Sequence, residues 1–411
     1  MVFSSRITYF AVMESKRDIE AILDFVRQHQ REEVDRLLLS AGKYPGVDMP
    51  AVVDQLLARK QLKEKLPTWQ MNDRLFYPAR IAAEQCSNEW TATYKQRLVG
   101  ADDRLCDLTG GMGVDSFYFS RKVREVTYVE RFANYCEAAR HNFSELGATN
   151  IRVVHADACA YLAQMEAMDV CYLDPARRGE AGQRVFALSD CEPDLTALLP
   201  KLFEKVPRVI AKISPMADLS FTLKCLPATT AIHVLAVRGE CKELLFCLER
   251  DRVVDNPVIH GVHFTTVGEE HFDFTMSQER GIETPVVGPL GPYLYEPNVA
   301  ILKAGAFKSV SGYFGLNKLH ESSHLYSSER KIEHFPGRRF QIEEVIPFHG
   351  KACKNLNRRL PKANLTVRNF PLAVSELRKR LKIAEGGDRY LFATTLRGEE
   401  RVLIVCVKLT E

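Results

Sequence analysis

The sequence predicts an α/β fold in which a mostly parallel sheet is covered by helices on both faces. Three observations support this prediction. Short apolar segments alternate with helical patterns between residues 104 and 250. The first of these segments leads into three closely spaced glycines, Gly110, Gly111 and Gly113, and the connection between the last two segments is too short for a helix. Short apolar strands separated by helices are typical of parallel sheets.

Length and composition indicate a multidomain globular protein. The chain has 411 residues, is 46% hydrophobic and carries a net charge of only +3, so it is not a polycation as a whole. Its eleven cysteines include no CxxC pair, which favours reduced thiols over disulfides or zinc. No apolar run approaches membrane-spanning length, and residues 1–13 lack the core of a signal peptide. We therefore expect a cytoplasmic protein that binds neither a metal nor a membrane.

Residues 1–97 predict a helical N-terminal domain. Apolar spacing indicates one helix from Asp18 to Leu39. Asp48 followed by Pro50 predicts the cap and first turn of a second helix. A further helix is expected from Glu84 to Leu98, leading into the first strand.

Residues 98–254 predict a domain built on seven strands. The expected strands are Arg104–Leu108, Glu125–Glu130, Ile151–His155, Val170–Leu173, Val209–Ile213, Ala231–Val237 and Glu243–Leu248. Helical patterns separate the first five, which predicts parallel pairing. Only residues 238–242 join the last two, so these should form an antiparallel hairpin.

The remainder predicts two small α+β domains, 255–335 and 336–411. Residues 264–268 and 272–275 indicate strands around a turn, 285–297 is rich in proline and glycine and is expected to be a link, and 299–307 indicates a short helix. The last domain is expected to contain strands at Phe340–Ile346, Asn364–Val367 and Arg401–Val407, and a helix at Leu372–Leu381.

The glycine-rich turn predicts a site for the polar middle of a nucleotide-like cofactor. Glycine has no Cβ, so the backbone can adopt positive φ and approach a ligand closely. The helix that begins after the turn presents free N–H groups. Asp115, in the first turn of that helix, is expected to cap it.

Acidic residues lie at the C-terminal ends of the first four predicted strands: Asp107, Glu130, Asp157 and Asp174. The C-terminal ends of strands line the ligand crevice of a doubly wound sheet. Asp107 is suited to a ligand amine, Glu130 to two ribose hydroxyls and Asp157 to an adenine amino group. Each acid alone could be a helix cap, but four at successive strand ends favour a cofactor site.

The cofactor is predicted from the rest of the pattern. A nicotinamide site would also use glycines and an acid about twenty positions later, but hydride transfer explains neither Asp174-Pro175 nor the reversed final hairpin. The pattern resembles class I S-adenosylmethionine-dependent methyltransferases over about residues 104–250. That resemblance implies a seven-stranded Rossmann-like sheet with a reversed last strand. It also implies a cofactor site formed by Asp107, Thr109, Gly110, Gly111, Gly113, Glu130, Asp157 and Ala158.

Asp174-Pro175 resembles the Asp/Asn-Pro-Pro motif of enzymes that methylate amino groups of nucleic-acid bases. A carboxylate and a backbone carbonyl that accept both amine hydrogens orient the nitrogen lone pair toward the methyl donor. Proline fixes φ and so fixes the direction of the carbonyl. The motif departs from the family here, because Ala176, Arg177 and Arg178 replace the second proline and the aromatic residue. An arginine can stack on a base or bind phosphate, so the methylated atom stays open.

Three further residues are candidates for the substrate site. Residues 76–95 resemble the segment that precedes the first strand in RNA-guanine amino-methyltransferases, which implies that Gln85 and Ser87 reach the site. The alternative is a plain docking helix. Lys212, near the end of the fifth strand, is either a lip of the pocket or part of a structural turn.

The C-terminal region is strongly basic. Residues 335–382 contain twelve lysines and arginines against three glutamates, a distribution that attracts phosphate backbones. The predicted RNA-binding patch comprises Arg338, Arg339, Arg358, Arg359, Arg378 and Arg380. A solvated basic face is the alternative. Residues 336–411 resemble a THUMP-like domain and 255–335 resemble the ferredoxin-like piece that accompanies it, which implies RNA, chiefly transfer RNA, as the partner.

Together these features predict an S-adenosylmethionine-dependent enzyme that methylates an amino group of a base in tRNA or rRNA. Two alternatives stay open. The acceptor could be a protein or a small molecule, or the chain could be an RNA-binding module with an inert methyltransferase domain. The sequence leaves the RNA species, the modified nucleotide and the oligomeric state undetermined.

Overall fold

The computed structural model describes residues 19–177, 188, 191–283, 285, 290–350, 352–354 and 356–409. The chain forms two compact units. The first comprises Met1–Thr229 and Phe246–Val253, and the second comprises Thr230–Leu245 and Val254–Glu411.

The first unit begins with helices, as predicted. They are α1 (19–29), α2 (Val34–Leu39), α3 (Met49–Leu62), α4 (Pro67–Gln70), α5 (Arg80–Gln85) and α6 (Glu89–Lys95). Asp48 caps α3 by accepting from the backbone N–H of Ala51, as expected. The two long helices predicted on either side of it are each interrupted. In the second, the Asn88 side chain accepts from the N–H of Trp90 and starts a new helix, because a short amide side chain competes with the helical backbone.

The strands of the first unit match the predicted positions closely. They are β1 (Arg104–Asp107), β2 (Glu125–Glu130), β3 (Ile151–His155), β4 (Val170–Leu173), the short pair β5 (Ala176–Arg177) and β6 (Cys191–Glu192), and β7 (Arg208–Ile213). The pairs β1–β2, β1–β4, β2–β3 and β4–β7 are all parallel. The helices among them are α7 (Val114–Ser120), α8 (Ala133–Glu145), α9 (Ala158–Gln164), α10 (Leu195–Lys205) and α11 (Leu219–Cys225).

The large sheet continues with β8 (Thr229–Val237), β9 (Glu240–Glu249), β10 (Val258–Thr265) and β11 (Gly268–Thr275). Its order is β11-β10-β8-β9-β7-β4-β1-β2-β3. Arg238 and Gly239, both with positive φ, form the tight turn between β8 and β9, so the predicted hairpin is present. The predicted seven-stranded arrangement is confirmed, and β10 and β11 extend it because β10 pairs with the edge that β8 would otherwise expose.

The second unit also contains a seven-stranded sheet of order β13-β14-β12-β15-β18-β17-β16. Its elements after β11 are α12 (Met276–Gly281), β12 (Tyr293–Pro297), α13 (Val299–Ala304), α14 (Phe307–Phe314), β13 (Asn317–His320), β14 (Ser323–Ser328), β15 (Gly337–Pro347), α15 (Leu356–Arg359), β16 (Asn364–Arg368), α16 (Val374–Leu381), β17 (Arg389–Thr395) and β18 (Arg401–Lys408). The last five residues of the segment 285–297, which was expected to be a link, form strand β12 instead. Leu294 and Tyr295 of this strand are fully buried. β12 pairs with β15, so one sheet contains strands from both sides of the domain boundary predicted between residues 335 and 336. The division into four domains stays a prediction.

The N-terminal helices pack on the edge of the first unit that carries the glycine turn. Trp69 and Tyr77 share one buried cluster with Phe117, Tyr128 and Phe143 from α7, β2 and α8. Burial of this apolar surface fixes the segment between α5 and α6 beside α7. The sequence-distant Ser87 is thereby held close to the ends of β1 and β4.

Asn142 provides a polar link in the same cluster. Its side chain is fully buried, accepts from the backbone N–H of Phe76 at 2.8 Å and donates to the Phe76 carbonyl at 2.7 Å. Asn142→Ala leaves both backbone groups unpaired and should lower the free energy of unfolding by about 2–4 kcal/mol. Urea denaturation checks this against Glu137→Ala on the exposed face of α8. Equal stability of the two variants would contradict it.

Candidate active site

The glycine turn between β1 and α7 uses its three glycines for different reasons. Gly111 and Gly113 have φ of +53° and +81°, the left-handed region. A Cβ on Gly110 would lie 2.2 Å from a ring atom of Tyr128. Tyr128 is buried beneath the turn, and its hydroxyl donates to the Gly111 carbonyl at 2.6 Å. Tyr128 therefore supports the turn from β2, a role that the sequence analysis missed.

Glu130 lies directly beside this turn. One carboxylate oxygen accepts from the N–H of Gly111 at 2.9 Å and the other accepts from the N–H of Phe132 at 2.9 Å. The N–H of Gly110 donates to the Val129 carbonyl at 2.9 Å. The C-terminal end of β2 thus holds both the predicted ribose-binding acid and the glycine backbone in one place.

Asp107 is buried and supports the turn from β1. Its carboxylate accepts from the N–H of Thr109 at 3.0 Å and from the hydroxyl of Ser116 at 2.6 Å. Burial raises the pKa of Asp107 to about 7, and the two hydrogen bonds only partly oppose that shift. Its predicted contact with a ligand amine stays a prediction.

The raised pKa of Asp107 makes stability depend on pH. The folded state binds this proton more tightly than the unfolded chain, so the resulting stabilisation is complete below about pH 4 and is lost as the pH rises through about 7. Asp107→Asn removes this dependence. Between about pH 5 and about pH 8 the wild type should therefore lose roughly 2–4 kcal/mol more unfolding free energy than the variant. Urea denaturation at both pH values tests this, with Asp48→Asn at an exposed helix cap as the control. Parallel pH profiles for wild type and Asp107→Asn would contradict it.

Asp157 follows β3 and caps α9. Its carboxylate accepts from the N–H groups of Cys159 at 2.9 Å and Ala160 at 3.1 Å, and Ala158 is the buried first residue of the helix. Asp157 therefore has the helix-capping role that the sequence analysis gave as the alternative to cofactor binding. The contact with an adenine amino group stays a prediction for both Asp157 and Ala158.

Asp174 connects the glycine turn with the end of β4. Its backbone N–H donates to the hydroxyl of Thr109 at 2.6 Å. Its Oδ2 accepts from Nζ of Lys212 at 2.5 Å, and the side chain is 37% exposed. Within the described part of the chain, its Oδ1 has no hydrogen-bond partner. One oxygen is therefore fixed by the protein while the other is available to a ligand.

Behind Asp174 lies a buried polar network. Nζ of Lys212 donates to the Ser87 hydroxyl at 3.2 Å, and that hydroxyl donates to Asp115 at 2.7 Å. Nζ of Lys95 donates to Asp115 at 2.8 Å and to Ser87 at 2.9 Å. Tyr172 donates from its hydroxyl to Asp115 at 2.7 Å. The sequence analysis included Ser87 and Lys212 among its candidates but missed Lys95 and Tyr172.

The expected capping role of Asp115 is wrong. Gly113 is the N-cap of α7, no side chain caps that helix, and Asp115 faces the network. Burial alone would raise the pKa of Asp115, but Lys95 and Lys212 hold it below its ordinary value. Asp115 is therefore a buried carboxylate whose charge is balanced by lysines.

The remaining candidates from the sequence are placed less centrally. Gln85 ends α5 and is exposed, and no hydrogen bond joins it to the network among the described residues. Pro175 is half-buried, and Ala176 and Arg177 form β5, which pairs with β6. Arg178 lies outside the described residues.

The six arginines of the predicted RNA-binding patch differ in their surroundings. Arg338 pairs with the buried Glu296, and Arg339 is itself buried and donates to the Glu333 carbonyl. Arg359 pairs with Glu344 at 3.1 Å, and the half-buried Arg378 is 3.4 Å from the Ala363 carbonyl. Arg358 is exposed, and Arg380 is exposed with its guanidinium over the ring of Phe348. A role of this set in RNA binding stays a prediction.

Comparisons with known proteins support one family. Residues 337–408 match the THUMP domain-like family, and residues 293–336 match a ferredoxin-like domain. A Mycobacterium tuberculosis protein described as an uncharacterized S-adenosylmethionine-dependent methyltransferase is 26% identical over 249 residues, 60% of this chain and 64% of that protein. The chain therefore matches less than two thirds of the length of that relative. An uncharacterized RNA methyltransferase of Mycoplasma mobile is 33% identical over 83 residues, 20% of this chain and 23% of that protein.

A crystal structure from Porphyromonas gingivalis W83, of a protein assigned as a methyltransferase, gives the more extensive match. It is 38% identical, with a TM-score of 0.89, over 96% of this chain and 99% of that one. The chain belongs to this methyltransferase family. The methyltransferase has a C-terminal THUMP-like domain, as predicted. S-adenosylmethionine, the predicted cofactor, is the one its mycobacterial relative is described as using.

The residues of the methyltransferase fit this cofactor. Among the described residues, a Cβ on Gly111 would have only the Thr109 carbonyl within 4 Å, at 3.8 Å, so the turn has room for a ligand there. The neighbouring carboxylate of Glu130 supplies acceptors of the kind that ribose hydroxyls require. The methyltransferase therefore combines an open glycine backbone and an acid at the strand end where the cofactor is expected.

The described ranges offer neither a metal site nor a membrane-spanning helix. There, no three His, Cys, Asp or Glu side chains are grouped so that they could hold a metal ion. None of the helices described combines the length and apolar composition needed to cross a membrane. No disulfide bond joins cysteines in these ranges.

Proposed function

We propose that this methyltransferase transfers a methyl group from S-adenosylmethionine to an exocyclic amino group of an RNA base. The observation that carries the proposal is the setting of Asp174. Its backbone is joined to Thr109 of the glycine turn at 2.6 Å, and its carboxylate has one oxygen held by Lys212 and one available. An acceptor bound to Asp174 would therefore lie next to the expected cofactor site.

The available oxygen of Asp174 has the chemistry that an amine acceptor needs. An exocyclic amine is a weak nucleophile because its lone pair is delocalised into the ring. An N–H bond to Oδ1, with a second to the carbonyl of Pro175, would hold the nitrogen with its lone pair directed toward the methyl group of the cofactor. The cofactor supplies an electrophilic methyl group on a sulfonium centre. The proton that the amine loses passes to Oδ1 and then to water.

The residue assignments within this proposal follow the sequence motifs. Asp107, Thr109, Gly110, Gly111, Gly113, Glu130, Asp157 and Ala158 would hold the cofactor. Asp174 and Pro175 would orient the acceptor amine. Ser87, Lys212, Gln85, Ala176, Arg177 and Arg178 would line the substrate side.

RNA is the proposed substrate class for two reasons. The Mycoplasma mobile relative is described as an RNA methyltransferase, and the C-terminal residues match a THUMP domain-like family. In addition, basic residues are concentrated in the same C-terminal region, where they favour a phosphate backbone. Exposed members such as Arg358 and Arg380 are the proposed contacts.

A methyl-transfer assay with three substrate pools tests this function. The full-length protein is incubated with tritiated S-adenosylmethionine and total RNA, a protein extract or a metabolite fraction. We expect label in RNA, sensitive to ribonuclease and located on a base. Label in the protein pool or in the metabolite pool instead would show that the substrate is a protein or a small molecule and not RNA. Salt-sensitive RNA binding without transfer to any pool would favour an inert methyltransferase domain.

A further inference from the structure

The polar network behind Asp174 contains two lysines and two aspartates in a mostly buried setting. The side chain of Lys95 is 1% exposed and that of Asp115 is 10% exposed, whereas that of Asp174 is 37% exposed. Lys95 contacts Asp115 and Lys212 contacts Asp174.

The two ion pairs are connected through a single hydroxyl group. Ser87 accepts from Lys95 at 2.9 Å and from Lys212 at 3.2 Å, and it donates to Asp115 at 2.7 Å. Lys212 is therefore separated from the second carboxylate, Asp115, by one side-chain oxygen. The positive charge of Lys212 also contributes to the lowered pKa of Asp115, after that of Lys95. Asp115 is thus a second electrostatic target within reach of Lys212.

We propose that Lys95 is a positioning residue: by pairing with Asp115, it keeps Lys212 bound to Asp174. This inference rests on the proposed function, because it concerns how the acceptor-binding carboxylate is held. Lys95 itself is placed behind Ser87 and acts on the reaction only through Lys212.

The physical reason is the unequal cost of leaving each aspartate without a cation. An unpaired carboxylate at the buried Asp115 is strongly unfavourable, whereas the more exposed Asp174 can be solvated by water. A lysine ammonium on a flexible four-carbon stem can change partner. Without Lys95, Lys212 should therefore move to Asp115 and release Asp174.

Two single substitutions separate this role from a general loss of stability. Lys95→Met and Asp115→Asn each remove one member of the buried pair and leave the other without its partner, so both should destabilise the fold. Only Lys95→Met leaves the Asp115 carboxylate charged and without Lys95, so that it attracts Lys212; Asp115→Asn removes that carboxylate. At saturating cofactor, we expect methyl transfer by folded protein to fall about 100-fold in Lys95→Met and much less in Asp115→Asn. Equal losses in the two variants would overturn the proposal.

The double variant Lys95→Met/Asp115→Asn supplies a rescue test. It removes both charges, so Asp115 no longer competes with Asp174 for Lys212, and Lys212 should return to Asp174. We expect transfer to recover most of the loss seen in Lys95→Met. A double variant as impaired as Lys95→Met, with wild-type cofactor affinity, would overturn the proposal.

A crystal structure of Lys95→Met gives a readout that does not depend on activity. We expect Nζ of Lys212 within hydrogen-bond distance of the Asp115 carboxylate and no longer on Asp174. If Lys95→Met does not fold, Lys95→Gln, which keeps a donor but removes the charge, takes its place. Lys212 remaining on Asp174 would overturn the positioning role even if wild-type transfer is confirmed. Conversely, a shifted Lys212 in a protein that methylates none of the pools would leave the positioning role standing and remove the proposed function.

Discussion

Gly110→Ala should weaken S-adenosylmethionine binding by about 100-fold, since overpacking a rigid site costs about 2–3 kcal/mol. The added Cβ would lie 2.2 Å from the Tyr128 ring, well inside van der Waals contact. Tyr128 cannot move aside easily, because it is fully buried and its hydroxyl holds the Gly111 carbonyl. The turn must therefore shift away from β2, and Gly111 separates from Glu130.

Isothermal titration calorimetry with S-adenosylmethionine measures this effect directly. Gly42→Ala is the matched control, because no atom of the described part of the chain would lie within 4 Å of a Cβ at Gly42. That variant should bind the cofactor as the wild type does. Unchanged affinity in a folded Gly110→Ala protein would place the cofactor elsewhere than at this turn.

Asp174→Ala should leave the Kd for S-adenosylmethionine unchanged and lower the methyl-transfer rate by about 10²–10³-fold, the usual effect of losing one preorganised polar group. The hydrogen bond to Thr109 comes from the backbone N–H of residue 174 and survives the substitution, so the glycine turn keeps its support. What is lost is the carboxylate that Lys212 holds in place.

Cofactor binding by calorimetry and single-turnover transfer to RNA together test this separation. Asp194→Ala is a suitable control, because Asp194 is an aspartate that caps α10 through the N–H groups of Thr196 and Ala197. It should lose some stability and retain transfer. Full activity in Asp174→Ala would move the chemistry to another residue.

Much of the first unit could be predicted because its signals are local. β2, β3 and β4 have the predicted bounds, since each is a short, largely apolar run with a polar residue at its end or directly after it. Gly111 and Glu130, nineteen positions apart, are hydrogen-bonded because neighbouring parallel strands end at the same edge of the sheet.

The prediction for Asp115 was wrong because its side chain had more than one possible partner. Asp115 has a good position for a helix cap, yet buried lysine, serine and tyrosine groups bind its carboxylate instead. In the second unit, the arginines of the predicted RNA-binding patch have different surroundings, which the sequence does not distinguish, and their role in RNA binding stays a prediction. The structure uses Arg338 to balance Glu296 and buries Arg339.

The sequence by itself determined the positions of the parallel strands, the glycine turn and the acids at the strand ends, because hydrophobic period and glycine conformation are properties of short segments. Only the tertiary structure decided that Ser87, Lys95, Asp115, Tyr172 and Lys212 form one network behind Asp174. These residues come from separate elements, and burial of the N-terminal helices against α7 and α8 brings them together. Which lysine neutralises which carboxylate depends on desolvation and distance, and both exist only in the folded chain.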